Sequence, residues 1–380
     1  MKVDLSLGEI LDNFDSKRVP VTASQRIAGP YPYYGASGIV DWVDGFLFEG
    51  DYLLIAEDGE NLRSRSTPVA FLAKGQFWVN NHAHVVRGKP GVADTRFLAY
   101  LLAVTDISGY LTGSTQPKLS QASMNSIRVR LPSFAEQQAI SEVLGALDDK
   151  IAANTELIAT CLGLSRALHA RVLQQEATSD TLYTEVASVG GGATPSTKRP
   201  EYWDGDVPWA VPSDITALGA PYLDDTPRHI TAEGFAACSS PLYPVGSILM
   251  TSRATIGAFA VNQVPTAVNQ GFIVVTPHED THRWWLLHEM ERRVPEYLNR
   301  ANGATFLELP RGVFKTMHFD LPDTQVLEQF HQQVDPIHAR ALAASRESRT
   351  LAELRDTLLP ALMDGTIKVK DAVASAEEVL

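Results

Sequence analysis

This 380-residue chain lacks every common catalytic signature. It has no GxSxG elbow, no HExxH pair, no CxxC pair and no GxxxxGK loop ending in Ser or Thr. The Asp/Asn-Pro-Pro-Tyr/Phe motif of adenine methyltransferases is also missing, and no glycine-rich cofactor loop follows a strand. Cysteine is scarce: Cys161 and Cys238 are the only two. That excludes a disulfide framework and points to a reducing compartment. No apolar run approaches the ~18–20 residues that span a bilayer. The amino terminus, MKVDLSLGEILDNFDSK, is too charged for a signal peptide, so a cytoplasmic protein is expected. Basic residues are outnumbered, 32 against 45, for a net charge of −13. That balance alone argues against a nucleic-acid binder, which usually shows a basic footprint. The deficit is uneven, however. Residues 1–133 carry 13 acids and 13 bases, whereas 177–322 carry 16 acids and 10 bases. A local basic surface therefore remains open, with a partner supplying much of any phosphate contact.

What is present begins with one long periodic stretch, 134–175. Ile140, Leu144, Leu147, Ile151, Asn154, Ile158, Cys161, Ser165, Leu168 and Val172 step along it by four and three residues in alternation. This is a heptad seam, mostly apolar, with no proline or helix-ending glycine inside it. A helix of about 40 residues is roughly 60 Å long. No compact domain needs such a rod, so it is expected to hold its ends apart.

The stretch has a second copy. At an ungapped offset of 190, Gly113, Thr115, Leu119, Leu131 and Pro132 fall on Gly303, Thr305, Leu309, Leu321 and Pro322. The seam residues Ile140, Leu144, Leu147 and Ile151 land on Phe330, Val334, Ile337 and Ala341. One residue off that offset, VNNHAHVV at 79–86 resembles VNQGFIVV at 268–275. The period is too long for a solenoid. It describes a duplicated unit: globule, long helix, globule, long helix. The expected boundaries are 1–133 and 179–322 for the globules, 134–178 and 323–370 for the helices, and 371–380 for a frayed acidic tail.

Within the first globule, a short helical pattern covers Leu7–Phe14. The aromatic and β-branched segment 31–59 predicts short strands and turns. Tyr33 and Tyr34 fit either a loop packed on its own core or a polar-aromatic contact surface. Asn80, Asn81, His82 and His84 sit between two apolar runs, as at a strand tip. No acids or cysteines at ligand spacing support metal binding by the two histidines. Residues 95–112 look helical, 113–119 make a turn, and SIRVRLP at 126–132 predicts a strand. In the second globule, Gly190, Gly191 and Gly192 are consecutive, which matches no phosphate loop and suggests a surface turn. Trp203 and Trp209 read as packing residues. Residues 247–261 predict two strands around a turn with Arg253 near its tip, and 281–298 predict one helix. Pro336 should kink the second long helix or mark the start of its regular part.

Four segments together resemble the DNA-specificity subunit of type I restriction-modification systems. They are PYYGASGIVDWVDGFLFEGDYLLIAEDG, LPSFAEQQAISEVLGALDDKIAAN, GGGATPSTKRPEYWDGDVPWAVPSDI and LRDTLLPALMDGTIKV, and the resemblance covers essentially the full length. It implies an α/β (α+β) fold in which two similar target-recognition domains are separated by two long antiparallel conserved helices, related by a pseudo-twofold repeat. Each domain would read one half of a bipartite double-stranded DNA site, with helix length setting the unread spacer. Two methyltransferase (M) subunits would dock on the helices and bring S-adenosylmethionine. Two restriction (R) subunits could add ATP and magnesium, and this chain would hold no cofactor and catalyse nothing itself. Readout would use Asn and Gln on adenine and Arg or Lys on guanine. On that basis the expected DNA contacts in the first globule are Tyr33, Tyr34, Asn80, Asn81, His82, His84, Gln116 and Lys118. In the second they are Thr194, Ser196, Lys198, Arg199, Ser213, Arg253, Asn269 and Gln270. The partner face would include Gln137, Gln138, Lys150, Asn154, Arg340, Arg346 and Arg349, with Asn154 competing as a polar seam residue. The alternatives are a helix-linked adaptor that binds proteins or glycans without DNA readout, and a catalytic subunit whose site is not visible in motifs.

Overall fold

The computed structural model describes residues 2–303, 307–377 and 379. Thr305 of the sequence repeat, and Glu378 and Leu380 of the tail, lie outside the described residues. The chain forms two compact units. One holds the residues up to Ile151 together with those from Thr350 onward, and the other is Ala152–Arg349. Each is described by itself.

In the first unit, Val3–Ser6 pairs antiparallel with Arg128–Leu131. A single helical turn, Leu7–Ile10, follows. Its start is fixed by the Glu9 carboxylate, which accepts from the Ser6 N–H at 2.7 Å and the Ser6 hydroxyl at 2.8 Å. The helix expected to reach Phe14 ends here, because Leu11–Asn13 pairs instead with Val86–Gly88. That strand opens an antiparallel four-stranded sheet that continues through Ala83–Gly88 and Tyr52–Ala56 to Ala70–Ala73. The continuous apolar run YLLIA at Tyr52–Ala56 follows from cover on both faces. Leu53 and Ile55 pack with Phe97, Leu98 and Leu101 of the helix Thr95–Val104. Tyr52 and Leu54 face Phe48, Phe77 and Val79. The helix at 95 stops at Val104, short of the expected 112.

The second unit repeats this plan. Thr178–Leu182 pairs with His318–Pro322, and a short helix, Tyr183–Val186, follows. Ala187–Gly190, Phe272–Pro277, Ile248–Thr251 and Phe259–Asn262 form the equivalent antiparallel sheet, and Tyr222–Leu223 adds a parallel edge. Ile248 and Met250 face one core, Leu249 the other. The helix expected over 281–298 is two helices, Arg283–Arg292 and Val294–Arg300, broken next to Pro295. The repeat also explains one glycine pair. Gly113 and Gly303 both have positive φ, 84° and 136°. A Cβ on Gly113 would meet the Gln116 carbonyl oxygen at 2.2 Å, so only glycine fits the turn.

The long helices are Phe134–Gln175 and Thr324–Asp364. In the first unit, Ile140, Leu144 and Leu147 of the seam are buried in one core with Leu351, Leu358 and Leu362. Arg355 donates to Asp148 at 2.9 Å there. In the second unit, Ile158 packs in a core with Phe330, Val334, Ala341 and Ala344. Asn154 donates to Glu347 at 2.8 Å, Ser165 meets His338 at 3.0 Å, and Arg171 donates to Gln333 at 3.3 Å. Rising numbers on one helix meet falling numbers on the other, so the pair is antiparallel. The second helix runs from Thr324 through Pro336 without interruption, so the proline lies inside it and does not mark its start. Burial of Val334, His338 and Ala341 around the proline offsets the lost backbone bond. Beyond Asp364, Val369–Glu377 is a helix with Ala372 and Ala376 buried in the first unit's core. The frayed tail is thereby corrected: two alanines four residues apart give it a face that packs. Among the described residues, no helix is long and apolar enough to cross a membrane.

Leu147→Ala removes a fully buried seam side chain and should destabilise the first unit by about 2–5 kcal/mol. Urea unfolding should show a lower midpoint with an unchanged slope.

Candidate functional site

In each unit, some of the polar sequence candidates lie just before a strand of the antiparallel sheet: Asn80, Asn81 and His82 before Ala83–Gly88, and Asn269 and Gln270 before Phe272–Pro277. In the first, the parallel pairing of Ala28–Gly35 with Gln76–Val79 ends at Tyr34 and Val79. The Asn80 N–H then donates to the Tyr34 carbonyl at 3.0 Å, and the Asn80 side-chain oxygen accepts from the His82 N–H at 2.8 Å. In the second unit, Trp203–Ala210 pairs in parallel with Ala267–Val268. The Asn269 N–H donates to the Ala210 carbonyl at 3.0 Å, and the Asn269 side-chain oxygen accepts from the Gly271 N–H at 2.8 Å. The two tips are the same Asx turn, 189 residues apart. Asparagine is consumed in building it, which leaves Asn81, His82 and Gln270 as the exposed side chains.

A second loop and a hairpin complete each tip. Asp58 bridges to Lys118, which pairs back with Thr112; Arg253 bridges to Glu308, which pairs back with Asn302. The loop is acidic and the hairpin basic in the first unit, and the charges are exchanged in the second. The surroundings follow suit. In the first unit Asp58 holds exposed His82 at 2.8 Å, and Glu57 gathers Arg18 at 3.0 Å and Lys118 at 3.5 Å. In the second, Arg253 pairs with Glu308 at 2.9 Å and Thr194 donates to Gln270 at 2.7 Å. Beside them a cavity of about 360 Å³ is lined by Gly191, Gly192, Ser252, Gln270, Glu308 and Arg311. The glycines there are a close-packing device and not the expected surface turn. A Cβ on Gly192 would lie 1.8 Å from the Val268 carbonyl oxygen, and one on Gly191 would lie 2.7 Å from Arg311.

Several candidate contacts are structural. Tyr33 is buried, its hydroxyl is held by the Val21 backbone at 3.2 Å, and Arg26 lies over its ring at 4.4 Å. Tyr34 is half-buried against Phe71 and Phe77. His84 is 1% exposed and fixed by Asp15 at 2.6 Å and the Leu119 carbonyl at 2.8 Å. Apolar neighbours on both sides carried that histidine inward, where an ion pair satisfies it. Burial pulls the His84 pKa down, but Asp15 and the Leu119 carbonyl outweigh it and leave the value raised. Burial likewise opposes ionisation of Asp15, yet His84 and the Val85 N–H hold its pKa below the usual carboxylate range. Gln116, Ser196, Lys198 and Ser213 are exposed. Arg199 donates to the Tyr202 hydroxyl at 3.0 Å. Trp203 and Trp209 pack edge to face at 5.1 Å, with Arg228 lying 3.8 Å over Trp203. Motif reading missed Asp58, Glu57, Ser252 and Arg311; Glu308 was available as the 190-residue partner of Lys118. Among the described residues, no group of three or more His, Cys, Asp or Glu could hold a metal.

On the long helices, Gln137 is buried and not a docking residue. Its amide donates to the Pro132 and Val92 carbonyls at 3.0 and 3.1 Å and accepts from the Asp94 N–H at 2.9 Å. Asn154 is buried on Glu347, which is its seam role. Arg346 and Arg349 are tied to Asp224 of their own unit, at 2.6 and 3.1 Å, so their charge is already matched. Gln138 and Arg340 are exposed, and Lys150 is half-buried with a partner of its own.

One polar tip is thus built twice, each time on a two-sheet globule. The chain belongs to the type I restriction modification DNA specificity domain family, whose model matches residues 2–160 and 183–337. It is 39% identical over 142 residues to a putative type I restriction enzyme specificity subunit of Haemophilus influenzae, covering 37% of this chain and 36% of that one. It is 36% identical over 143 residues to the specificity subunit of the MjaIX type I restriction enzyme of Methanocaldococcus jannaschii, covering 37% of this chain and 33% of that one. These matches therefore span about a third of each relative. A crystal structure of the type I restriction-modification S subunit from M. genitalium shares the fold, with a TM-score of 0.66 at 16% identity over 95% of this chain and 96% of that one.

Asp15→Asn should destabilise the first unit, because it strands a buried imidazole. A raised His84 value contributes stability below its unfolded pKa and loses it as pH rises through the folded one. A lowered Asp15 value contributes above its unfolded pKa and loses it as pH falls. The difference in thermal midpoint between the native chain and Asp15→Asn should accordingly be larger near about pH 5.5 than near about pH 8.5.

Proposed function

We propose that this chain is the non-catalytic specificity subunit of a type I restriction-modification complex in the cytoplasm. It binds a bipartite double-stranded DNA site, with one half read by each globule. The observation that carries this is the duplicated tip: one backbone turn, at Asn80 and Asn269, decorated with different side chains and opposite charge order. A fixed scaffold with variable exposed donors and acceptors suits base-edge readout in the major groove, with phosphate contacts setting register. In the first globule the reading groups are Asn81, His82, Gln116 and Lys118, with Asp58 orienting His82. In the second they are Gln270, Thr194 and Arg253, with Ser196, Lys198, Arg199 and Ser213 available to phosphates. Since the chain carries net charge −13, most of the non-specific attraction must come from a partner. Two methyltransferase subunits fill that role, dock on exposed helix positions such as Gln138 and Arg340, and bring S-adenosylmethionine. Restriction subunits, where present, bring ATP and magnesium. The helix pair sets the spacer between the half-sites.

Base-modification sequencing tests this in a methylation-free host expressing the chain with its neighbouring methyltransferase subunit, against the methyltransferase alone. The expected result is a new bipartite methyl-adenine motif that requires this chain. Absence of any motif despite a stable co-purifying complex would favour the adaptor reading. Exchanging residues 1–133 for another recognition domain should then change one half-site only; change in both would defeat the modular assignment. Deleting one heptad within 144–168 should shift or abolish the accepted spacer length, scored by the same sequencing.

A further inference from the structure

Ser165, His288 and His338 meet in the interior of the second unit. Here both long helices pack on the helix Arg283–Arg292 and the strand Tyr222–Leu223. Ser165 is fully buried, and the two imidazoles are 2% and 1% exposed. The Ser165 hydroxyl oxygen lies 2.5 Å from His288 Nε2 and 3.0 Å from His338 Nε2, and those two nitrogens are 3.3 Å apart. The far nitrogens are also engaged. His288 Nδ1 is 3.0 Å from the Glu291 carboxylate, and His338 Nδ1 is 2.8 Å from the Tyr222 hydroxyl. Trp284 stacks on His338 at 3.7 Å, and its indole N–H is held by Asp335.

Proton counting gives this chain a direction. A carboxylate only accepts. Burial opposes ionisation of Glu291, yet hydrogen bonds from His288 and Arg166 keep its pKa at about 2. His288 Nδ1 therefore carries a proton and donates. With no second proton on His288, its Nε2 accepts from Ser165. The His338 Nε2–H then donates to Ser165, and Tyr222 donates to His338 Nδ1. Every member is satisfied. One proton added at His338 Nδ1, the nitrogen that accepts from Tyr222, turns it into a donor, so that both His338 nitrogens then donate, one to Ser165 and one to Tyr222. The tyrosine O–H then loses His338 Nδ1, the partner it holds at 2.8 Å, and is left with nearby Cys161 and a cavity of about 140 Å³ beside Tyr222 and His338 that can hold water for it.

The surroundings give such a proton little relief. On the first long helix, Arg166 already engages Glu291 at 2.9 and 3.0 Å, and His169 lies 3.1 Å from Glu289. On the helix Arg283–Arg292, Glu289 is also held by Arg292 and Arg293, and Arg283 borders the cavity. On the second long helix, Asp335 is committed to Trp284. Burial, reinforced by the neighbouring His288, pulls His338 down to about 3.

We propose that the chain Tyr222–His338–Ser165–His288–Glu291 is a proton-sensitive latch that holds the second globule on the helix pair near neutral pH and loosens in mild acid. The sign follows from linkage. A histidine whose folded pKa lies below its unfolded one costs nothing above about pH 6.5 and withdraws stability as pH falls below it.

His338→Gln tests the latch in the full chain. Glutamine can accept from Tyr222 and donate to Ser165 but cannot titrate. Between about pH 7.5 and 5.5, the thermal midpoint of the native chain should fall at least about twice as far as that of His338→Gln. Equal falls would overturn the proposal. Hydrogen exchange on the native chain, corrected for intrinsic rates, needs no variant. Residues 283–292 and 324–349 should lose more protection on acidification than the strands 248–251 and 272–277. A uniform loss, or none, would also overturn it.

Discussion

Burial of the heptad seam along Phe134–Gln175 is the constraint that the other elements obey. A helix of this length cannot be stable in water on propensity alone and must cover its apolar stripe. It does so in two cores. Ile140, Leu144 and Leu147 enter one with Leu351, Leu358 and Leu362. Ile158 enters the other with Phe330, Val334 and Ala341. Each globule's own helix, Thr95–Val104 or Arg283–Arg292, also packs into the core that holds a stretch of the seam. The small residues Ala341 and Ala344 are fully buried, in the core that also holds Ile158 and Phe330. Where the seam turns polar, at Asn154 and Ser165, the facing groups are Glu347 and the His288–His338 pair. Polar seam positions cost stability unless satisfied, and here they fix register.

With the frame settled, the tips are free to differ. Asn80 and Asn269 spend their side chains on the turn, and the backbone of Tyr34 and Ala210 receives it in the same way. What varies is the exposed chemistry: His82 on Asp58 in one, Gln270 on Thr194 in the other. Reversal of the Asp58–Lys118 order to Arg253–Glu308 keeps each bridge closed while changing the side chains each surface presents. A scaffold that separates turn formation from surface identity can vary its exposed chemistry without refolding.

Much of the architecture was legible because its signals are long. The four-three alternation over some forty residues and the 190-residue echo predicted both helices and the duplicated globules. Short-range signals failed where a tertiary partner overrode them. Leu11–Asn13 left a helical pattern to pair with Val86–Gly88. The tail folded because Ala372 and Ala376 found a core. In the site, exposed polar residues at the tip were found by type and position, but burial was not. Tyr33, His84 and Gln137 carry the same chemistry as their exposed neighbours, and only the packed fold shows that it is spent internally.

The sequence by itself determined the repeat and the seam, because periodicity is a property of the chain read along its length. Tertiary structure alone decided which polar groups meet across long separations: Asp58 with His82, Arg253 with Glu308, Ser165 with His288 and His338. Those pairings depend on how strands and helices pack side by side, and no local pattern encodes contacts that span from 24 positions, for Asp58 and His82, to 173, for Ser165 and His338.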